Sequence, residues 1–277
     1  MKSQNVLEIL NWATALFEST QIENPKLNTE QIISHVLDVK RLELYLHSSD
    51  VISEDEIKEI QSLIERRRKG EPLQYVLGET FFYDCWIFID KNVLIPRPET
   101  ELLVEKVIDE HQKVKSILEI GTGSGAIAIA LAKNLNLDRI DAIDISNEAI
   151  KLARKNAIEN SVNINFYQSD IFENIKGKFE LIVSNPPYIS GKEYEKLPAE
   201  IKNYEPINAL LASENGLIFY KKILRNAKEY LTKNGKIYFE IGYDQAERIK
   251  EIANKNSFDK VNVFKDLNGF DRIIKIG

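Results

Sequence analysis

Apolar residues recur at two different periods along this chain, and the change near residue 79 divides it. Over residues 1–78, Val6, Ile9, Leu10, Ala13 and Leu16-Phe17 return at the three-to-four-residue spacing of a helix face. Ile32-Ile33 with Val36-Leu37, and Leu42 with Leu44-Tyr45, do the same. Ser53-Glu-Asp-Glu56 reads as a capping box that opens a helix over Ile57 to Lys69, ended by Gly70. This pattern predicts a bundle of four or five short helices. Phe81 to Ile89 is aromatic and β-prone with a break at Tyr83-Asp84, which predicts a hairpin. Ile95-Pro-Arg-Pro98 then makes a stiff elbow, because each proline holds its predecessor extended, and a helix follows from Glu101 to about Glu110.

From Val114 the pattern alternates. Ser116–Ile120, Arg139–Asp144, Asn163–Ser169, Phe179–Ser184 and Lys236–Ile241 read as strands, with helices over Ala126–Asn134, Asn147–Asn160, Gly216–Lys233 and Asp244–Asn256. Strands alternating with helices predict a parallel, doubly wound α/β sheet. Lys260–Phe264 and Arg272–Ile276 are separated only by Lys265 to Asp271, so they close the sheet as an antiparallel edge hairpin. The expected organisation is a helical domain over 1–78, a hairpin linker over 79–95 and an α/β domain over 96–277.

The fourth strand ends in Ser184-Asn-Pro-Pro-Tyr188. Proline has no N–H for a sheet ladder, so the chain must turn out at Asn185, and the two prolines stiffen that exit. It falls at the carboxyl end of a strand, where open α/β sheets bind ligands. The Asn185 side-chain oxygen and the Pro186 carbonyl are two acceptors, suited to the two donors of a planar NH2 group. Tyr188 offers a flat apolar face. The alternative is a strand-ending turn with a buried tyrosine.

Gly121-Thr-Gly-Ser-Gly125 joins the first strand to its helix, where glycines let backbone N–H groups approach a ligand at the helix N-terminus. Asp144 ends the second strand, where a carboxylate can bind ribose hydroxyls. Gly121, Gly123 and Ala126 also satisfy a nicotinamide fingerprint, so this pair alone leaves the cofactor open. The Asn-Pro-Pro-Tyr clamp favours methyl transfer to an NH2 group over hydride transfer. Asp170, at the third strand end, reads either as a site residue or as a turn residue. Arg97 is either paired to the first turn of its helix or near the site, and Glu205 either anchors its loop or helps to close the site.

Composition narrows the setting. Of 277 residues one is cysteine, Cys85, which excludes an internal disulfide and suits a reducing compartment. No run approaches a membrane span, and a cytoplasmic location is expected. Residues 1–95 carry 10 basic and 16 acidic side chains, so the net charge of −6 lies wholly there. Nucleic-acid enzymes usually present a basic face, and Arg66-Arg-Arg-Lys69 is the one short basic run. No metal-ligand spacing is present.

Glu119-Ile-Gly-Thr-Gly-Ser-Gly125, Asp144, Asp170 and Asn185-Pro-Pro-Tyr188 resemble the class I S-adenosylmethionine-dependent amino-methyltransferases. Pro72-Leu-Gln-Tyr75, Ile95-Pro-Arg-Pro-Glu-Thr100, Tyr204-Glu-Pro206, Glu240-Ile-Gly242 and Lys265-Asp-Leu-Asn-Gly269 are similar to the PrmC/HemK family, the protein-(glutamine-N5) methyltransferases of peptide chain release factors. The resemblance implies a Rossmann-like, seven-stranded sheet with an antiparallel edge hairpin and an N-terminal helical substrate-docking domain. It implies that Gly121, Thr122, Gly123, Ser124 and Gly125 hold the methionine end of S-adenosylmethionine, Asp144 its ribose, and Asp170 with Ile171 its adenine. Asn185, Pro186, Pro187 and Tyr188 form the glutamine pocket, with Asn185, Pro186 and Tyr188 catalytic and Arg97 on the substrate side. Ile171 departs from relatives that have tryptophan there. The implied product is S-adenosylhomocysteine, without a metal. The implied partners are release factors 1 and 2, without nucleic acid or membrane, and the chain is expected as a monomer. The rival is an adenine-N6 or guanine-N2 methyltransferase acting on DNA or RNA, because the clamp motif is shared with base methyltransferases.

Overall fold

The computed structural model describes residues 4–277. Its elements in chain order are α1 (Val6–Ser19), α2 (Pro25–Val36), α3 (Glu54–Arg68), α4 (Leu73–Leu77), β1 (Glu79–Phe82), β2 (Cys85–Phe88), α5 (Pro98–Glu110), β3 (Ser116–Ile120) and α6 (Ala126–Asn134). There follow β4 (Arg139–Asp144), α7 (Asn147–Glu159), β5 (Asn165–Gln168), β6 (Phe179–Ser184), α8 (Gly191–Tyr194), α9 (Ala199–Tyr204) and α10 (Ser213–Gly216). The chain ends with α11 (Ile218–Tyr230), β7 (Leu231–Glu240), α12 (Ala246–Lys255), β8 (Val261–Lys265) and β9 (Asp271–Ile276).

The chain divides into two compact units. The first contains the chain up to Gly78 together with α9. Val6, Ile9, Leu10, Ala13 and Phe17 of α1 are buried with Ile32, Ile33, Ile60 and Ile64, so the periodic positions read from the sequence are this unit's core. The Ser53 capping box is formed, with Ser53 accepting from the Glu56 N–H while the Glu56 carboxylate accepts from the Ser53 N–H. α9 lies outside the span that the sequence assigns to this domain. Glu200 pairs with Arg67 at 3.2 Å, and the Tyr204 hydroxyl donates to the Lys69 carbonyl at 3.1 Å. Such pairings 130 residues apart leave no periodic signal.

The second unit holds Glu79–Pro198 and Glu205–Gly277. Its seven strands run in the order β5-β4-β3-β6-β7-β9-β8. β3 pairs in parallel with β4 and β6, β6 with β7, and β9 lies antiparallel between β7 and β8. The strand order reverses between β3 and β6, which is the switch point of an open sheet, so the loops leaving these two strands flank a natural crevice. Leu118, Phe179, Ile182, Ile237, Phe239 and Ile274 are fully buried in the sheet, as the uninterrupted apolar runs predict.

β1 and β2 form the expected hairpin, turning through Tyr83 and Asp84 at φ of 41° and 60°. The hairpin belongs to the α/β unit rather than standing as a separate linker. Asn156 of α7 binds it edge-on, accepting from the Phe88 N–H at 2.9 Å and donating to the Phe88 carbonyl at 2.8 Å. Its second amide proton goes to the Ser124 carbonyl at 2.8 Å. One fully buried side chain therefore ties the hairpin to the glycine loop. Asn156→Ala strands three backbone groups, each costing about 1–3 kcal/mol when buried without a partner. Urea unfolding should show a loss of about 2–4 kcal/mol on that basis, with faster amide exchange at Phe88. An unchanged midpoint would contradict the role given to Asn156.

Candidate active site

The loops leaving β3 and β6 enclose a cavity of about 440 Å³. Gly121, Thr122, Gly123, Ser124, Asp144, Asp170, Ile171, Asn185, Pro186, Pro187 and Arg97 all line it. Sequence positions spread over 90 residues thus converge on one crevice. Gly125 and Tyr188 stand behind that wall instead.

The glycine loop is shaped by backbone conformation. Gly121, Gly123 and Gly125 have φ of 76°, 54° and 86°, the left-handed region that favours glycine. A Cβ built on Gly121 or Gly123 meets nothing within 4 Å, whereas one on Gly125 would press on Ala153 at 3.1 Å. The first two glycines therefore keep the cavity side of the loop open, and the third allows α6 to pack against α7. Ile171 also has positive φ, 52°, in a region that disfavours a β-branched residue. That strain turns the Asp170–Ile171 corner at the cavity edge.

Two acidic side chains support the loop. Asp144 accepts from the Gly123 N–H at 2.9 Å through one oxygen and from the Ser146 N–H at 2.9 Å through the other. Each oxygen retains a lone pair, so the side chain can still accept ligand hydroxyls. Burial pushes its carboxyl upward, and the backbone N–H groups oppose that shift. Glu119, wholly buried on β3, accepts from the Thr122 hydroxyl at 2.5 Å, while its Oε1 has no partner among the described residues. Burial pushes Glu119 up to about 8.

The exit from β6 is held on both sides. The Ser184 hydroxyl donates to the Ile120 carbonyl at 2.6 Å and locks the ends of β6 and β3 together. The Gln245 side-chain amide donates to the Tyr188 carbonyl at 2.9 Å, and its oxygen accepts from the Gly242 N–H at 3.0 Å. Glu214, Asn215 and Gly216 run left-handed in succession, and a Cβ on Gly216 would lie 2.1 Å from the Tyr188 carbonyl oxygen. Only glycine lets this turn approach the clamp.

The Tyr188 hydroxyl donates to Glu240 Oε1 at 3.2 Å, and the Thr100 hydroxyl donates to Glu240 Oε2 at 2.6 Å. Asn185 Nδ2 in turn donates to the Thr100 oxygen at 3.1 Å. Burial pushes Glu240 upward, and the Thr100 bond and the Arg272 charge oppose it. Tyr188 is pushed up as well, by burial and by the neighbouring Glu240. Arg97 pairs with Glu205 at 2.5 Å rather than with its own helix, and Glu205 Oε2 has no partner among the described residues. Of the two sequence readings of Glu205, this ion pair favours the loop anchor, while Arg97 faces the cavity. The sequence alone does not mark Thr100, Glu240, Gln245 or Gly216 as site residues, although Thr100 lies in Ile95-Pro-Arg-Pro-Glu-Thr100 and Glu240 in Glu240-Ile-Gly242. A lone glutamate closing the apolar strand end of β7 was the available signal. Among the described residues no group of three or more His, Cys, Asp or Glu side chains is placed to hold a metal ion. None of the helices among them is long and apolar enough to cross a membrane.

Neutral Glu119 carries a pH consequence. Its folded value lies above the ordinary 4.5, so the folded state retains a proton that the unfolded chain releases. Its contribution to stability is greatest below pH 4.5, falls as pH rises through about 8, and is constant above that. Glu119→Gln cannot titrate. The melting temperature of the variant should gain on that of the wild type between these limits. Parallel profiles across that range would contradict a buried neutral Glu119.

The chain matches the PrmC N-terminal domain over residues 8–78 and the methyltransferase small domain over residues 97–201. It is 45% identical over 279 residues to the release factor glutamine methyltransferase of Fusobacterium nucleatum subsp. nucleatum, covering 99% of this chain and 78% of the relative. The release factor glutamine methyltransferase of Thermodesulfovibrio yellowstonii is 45% identical over 251 residues, covering 88% and 90%. The fold is similar to a methyltransferase from Pyrococcus furiosus, with a TM-score of 0.54 and 21% identity over 69% of this chain and 87% of that one. With both of its units matched and this identity running nearly end to end, the chain belongs to the release factor glutamine methyltransferase family.

Proposed function

We propose that this protein transfers a methyl group from S-adenosylmethionine to the side-chain amide nitrogen of the glutamine in the Gly-Gly-Gln loop of a peptide chain release factor. The observation that carries the reading is the clamp: Asn185 and Pro186 line the cavity on a strand exit that Ser184, Gln245 and Gly216 immobilise. Relatives at 45% identity over almost the whole chain supply the substrate class.

The cavity wall fits the cofactor. Gly121 and Gly123 leave open space where a side chain would intrude, and Asp144 keeps lone pairs for ribose hydroxyls. Asp170 and the strained Ile171 corner offer an edge and an apolar face for adenine. The cofactor, when bound, supplies an electrophilic sulfonium methyl.

A carboxamide nitrogen is a poor nucleophile because its lone pair is shared with its carbonyl. Asn185 Oδ1 and the Pro186 carbonyl would accept its two N–H bonds and direct the nitrogen lone pair out of the amide plane. As the N–C bond forms, the methyl's bond to sulfur would break with S-adenosylhomocysteine as the leaving group, positive charge would grow on nitrogen, and two preorganised acceptors would stabilise that charge without reorganising. The nitrogen then gives up one proton, so no strong base is required beside it. Tyr188 contributes from behind the wall, through its carbonyl and hydroxyl bonds, rather than as an open stacking face.

The test uses methyl-labelled S-adenosylmethionine and two forms of a purified release factor, one intact and one with the Gly-Gly-Gln glutamine replaced. Label on the intact form alone is the expected result. Label on neither form, but on added DNA or ribosomal RNA, would overturn the substrate and favour the base-methylating rival. The acidic balance of residues 1–95 argues against that outcome.

A further inference from the structure

We infer that Thr100 is a positioning residue of the transfer site, one that sets which end of the Asn185 amide is presented to substrate. The inference rests on the clamp reading above. An asparagine side chain has an oxygen end and an NH2 end of nearly the same shape. Only the oxygen end can receive the NH2 group of a glutamine. Flipped, Asn185 would oppose donor to donor, and the clamp would repel its substrate.

The structure contains a device that prevents the flip. Thr100 is buried at the start of α5, where its N–H donates to the Arg97 carbonyl of the elbow at 3.0 Å. Its hydroxyl has one proton, given to Glu240 Oε2 at 2.6 Å. The other Glu240 oxygen accepts from Tyr188, and Arg272, held by Asp266 at 3.0 Å, adds a positive charge on the same side. A carboxylate only accepts. The Thr100 proton is therefore committed, and towards Asn185 the Thr100 oxygen can only accept. Asn185 answers with Nδ2 at 3.1 Å, which turns Oδ1 away from Thr100. No hydrogen bond occupies Oδ1 among the described residues. Asn185 thus donates to Thr100 and Thr100 to Glu240, a one-way chain that leaves Asn185 Oδ1 as the free acceptor the reaction needs.

This also gives the arginine-proline elbow a purpose. Pro98 starts the helix and Thr100 is its third residue, so the elbow delivers a hydroxyl to a carboxylate 140 residues away in sequence.

The test compares Thr100→Val, Thr100→Cys and Thr100→Ser in the full chain. Valine keeps the shape without the hydroxyl, cysteine offers only a weak donor and acceptor, and serine restores both. Methyl transfer to the release factor should fall on the order of 10- to 100-fold in kcat for the valine and cysteine variants, the scale of a misplaced reacting group. Calorimetric affinity for S-adenosylmethionine should stay within about threefold of wild type and serine should recover kcat to a similar margin, since a factor of three is under 1 kcal/mol. Wild-type kcat in the valine and cysteine variants would overturn the inference. So would an equal loss in the serine variant, because shape rather than the hydroxyl would then matter. If valine does not fold, the serine–cysteine comparison decides alone.

A wild-type protein that binds S-adenosylmethionine but leaves the release factor unlabelled would refute the substrate reading, not this one. In that event the 15N-labelled side-chain amide of Asn185, identified by its loss in Asn185→Asp, carries the test. Its proton shifts should move in Thr100→Val and return in Thr100→Ser. An unmoved signal would overturn the orienting role.

Discussion

A carboxylate taken out of water has to be surrounded by donors, and in this protein that requirement shapes the site. Glu240 is 1% exposed at the end of β7, among aromatic and aliphatic side chains. An unpaired charge there would be prohibitive. The hydroxyl of Thr100 comes from the helix after the elbow, that of Tyr188 from the loop after β6, and the charge of Arg272 from β9. The Tyr220 hydroxyl also donates to the Glu240 main-chain carbonyl at 2.9 Å. Satisfying one buried acid thus brings three other segments to the end of β7 at the carboxyl end of the sheet.

The second constraint is stiffness. Two prolines stop β6, Ser184 ties the strand end to β3, and the Tyr188 peptide is held between Gln245 and the left-handed Gly216 turn. Each restraint acts before any ligand arrives. Preorganisation of this kind lets a weak nucleophile be served by geometry, because the acceptors are already in place when charge develops.

Local rules made much of this legible. The period change near residue 79, the buried strand runs, the proline stop at Asn185 and the glycine loop after β3 all follow from near-neighbour chemistry, and the cavity lies where they place it. The glycine loop was readable as a place of close backbone approach, but which of its glycines keep the cavity side open and which one packs α6 against α7 was not. Nor were the partners of Glu240, since Thr100 is 140 residues away and its hydroxyl has no periodic signature. Tyr188 was readable both as the flat face of the clamp and as a buried tyrosine, and the choice stayed open because a tyrosine beside a proline carries no mark of which way its ring turns. The left-handed Ile171 is opposite to what its residue type favours, and only the surrounding packing explains it. α9 joining the first unit depends on Arg67 and Tyr204 finding distant partners, which no window of sequence contains.

The most direct measurement is a crystal structure of the protein with S-adenosylhomocysteine and free glutamine. The glutamine carboxamide nitrogen is expected within hydrogen-bond distance of both Asn185 Oδ1 and the Pro186 carbonyl, with Asn185 Nδ2 still on Thr100. Glutamine bound through its carboxamide oxygen to Asn185, or seated away from the Asn185–Pro186 exit, would contradict that arrangement.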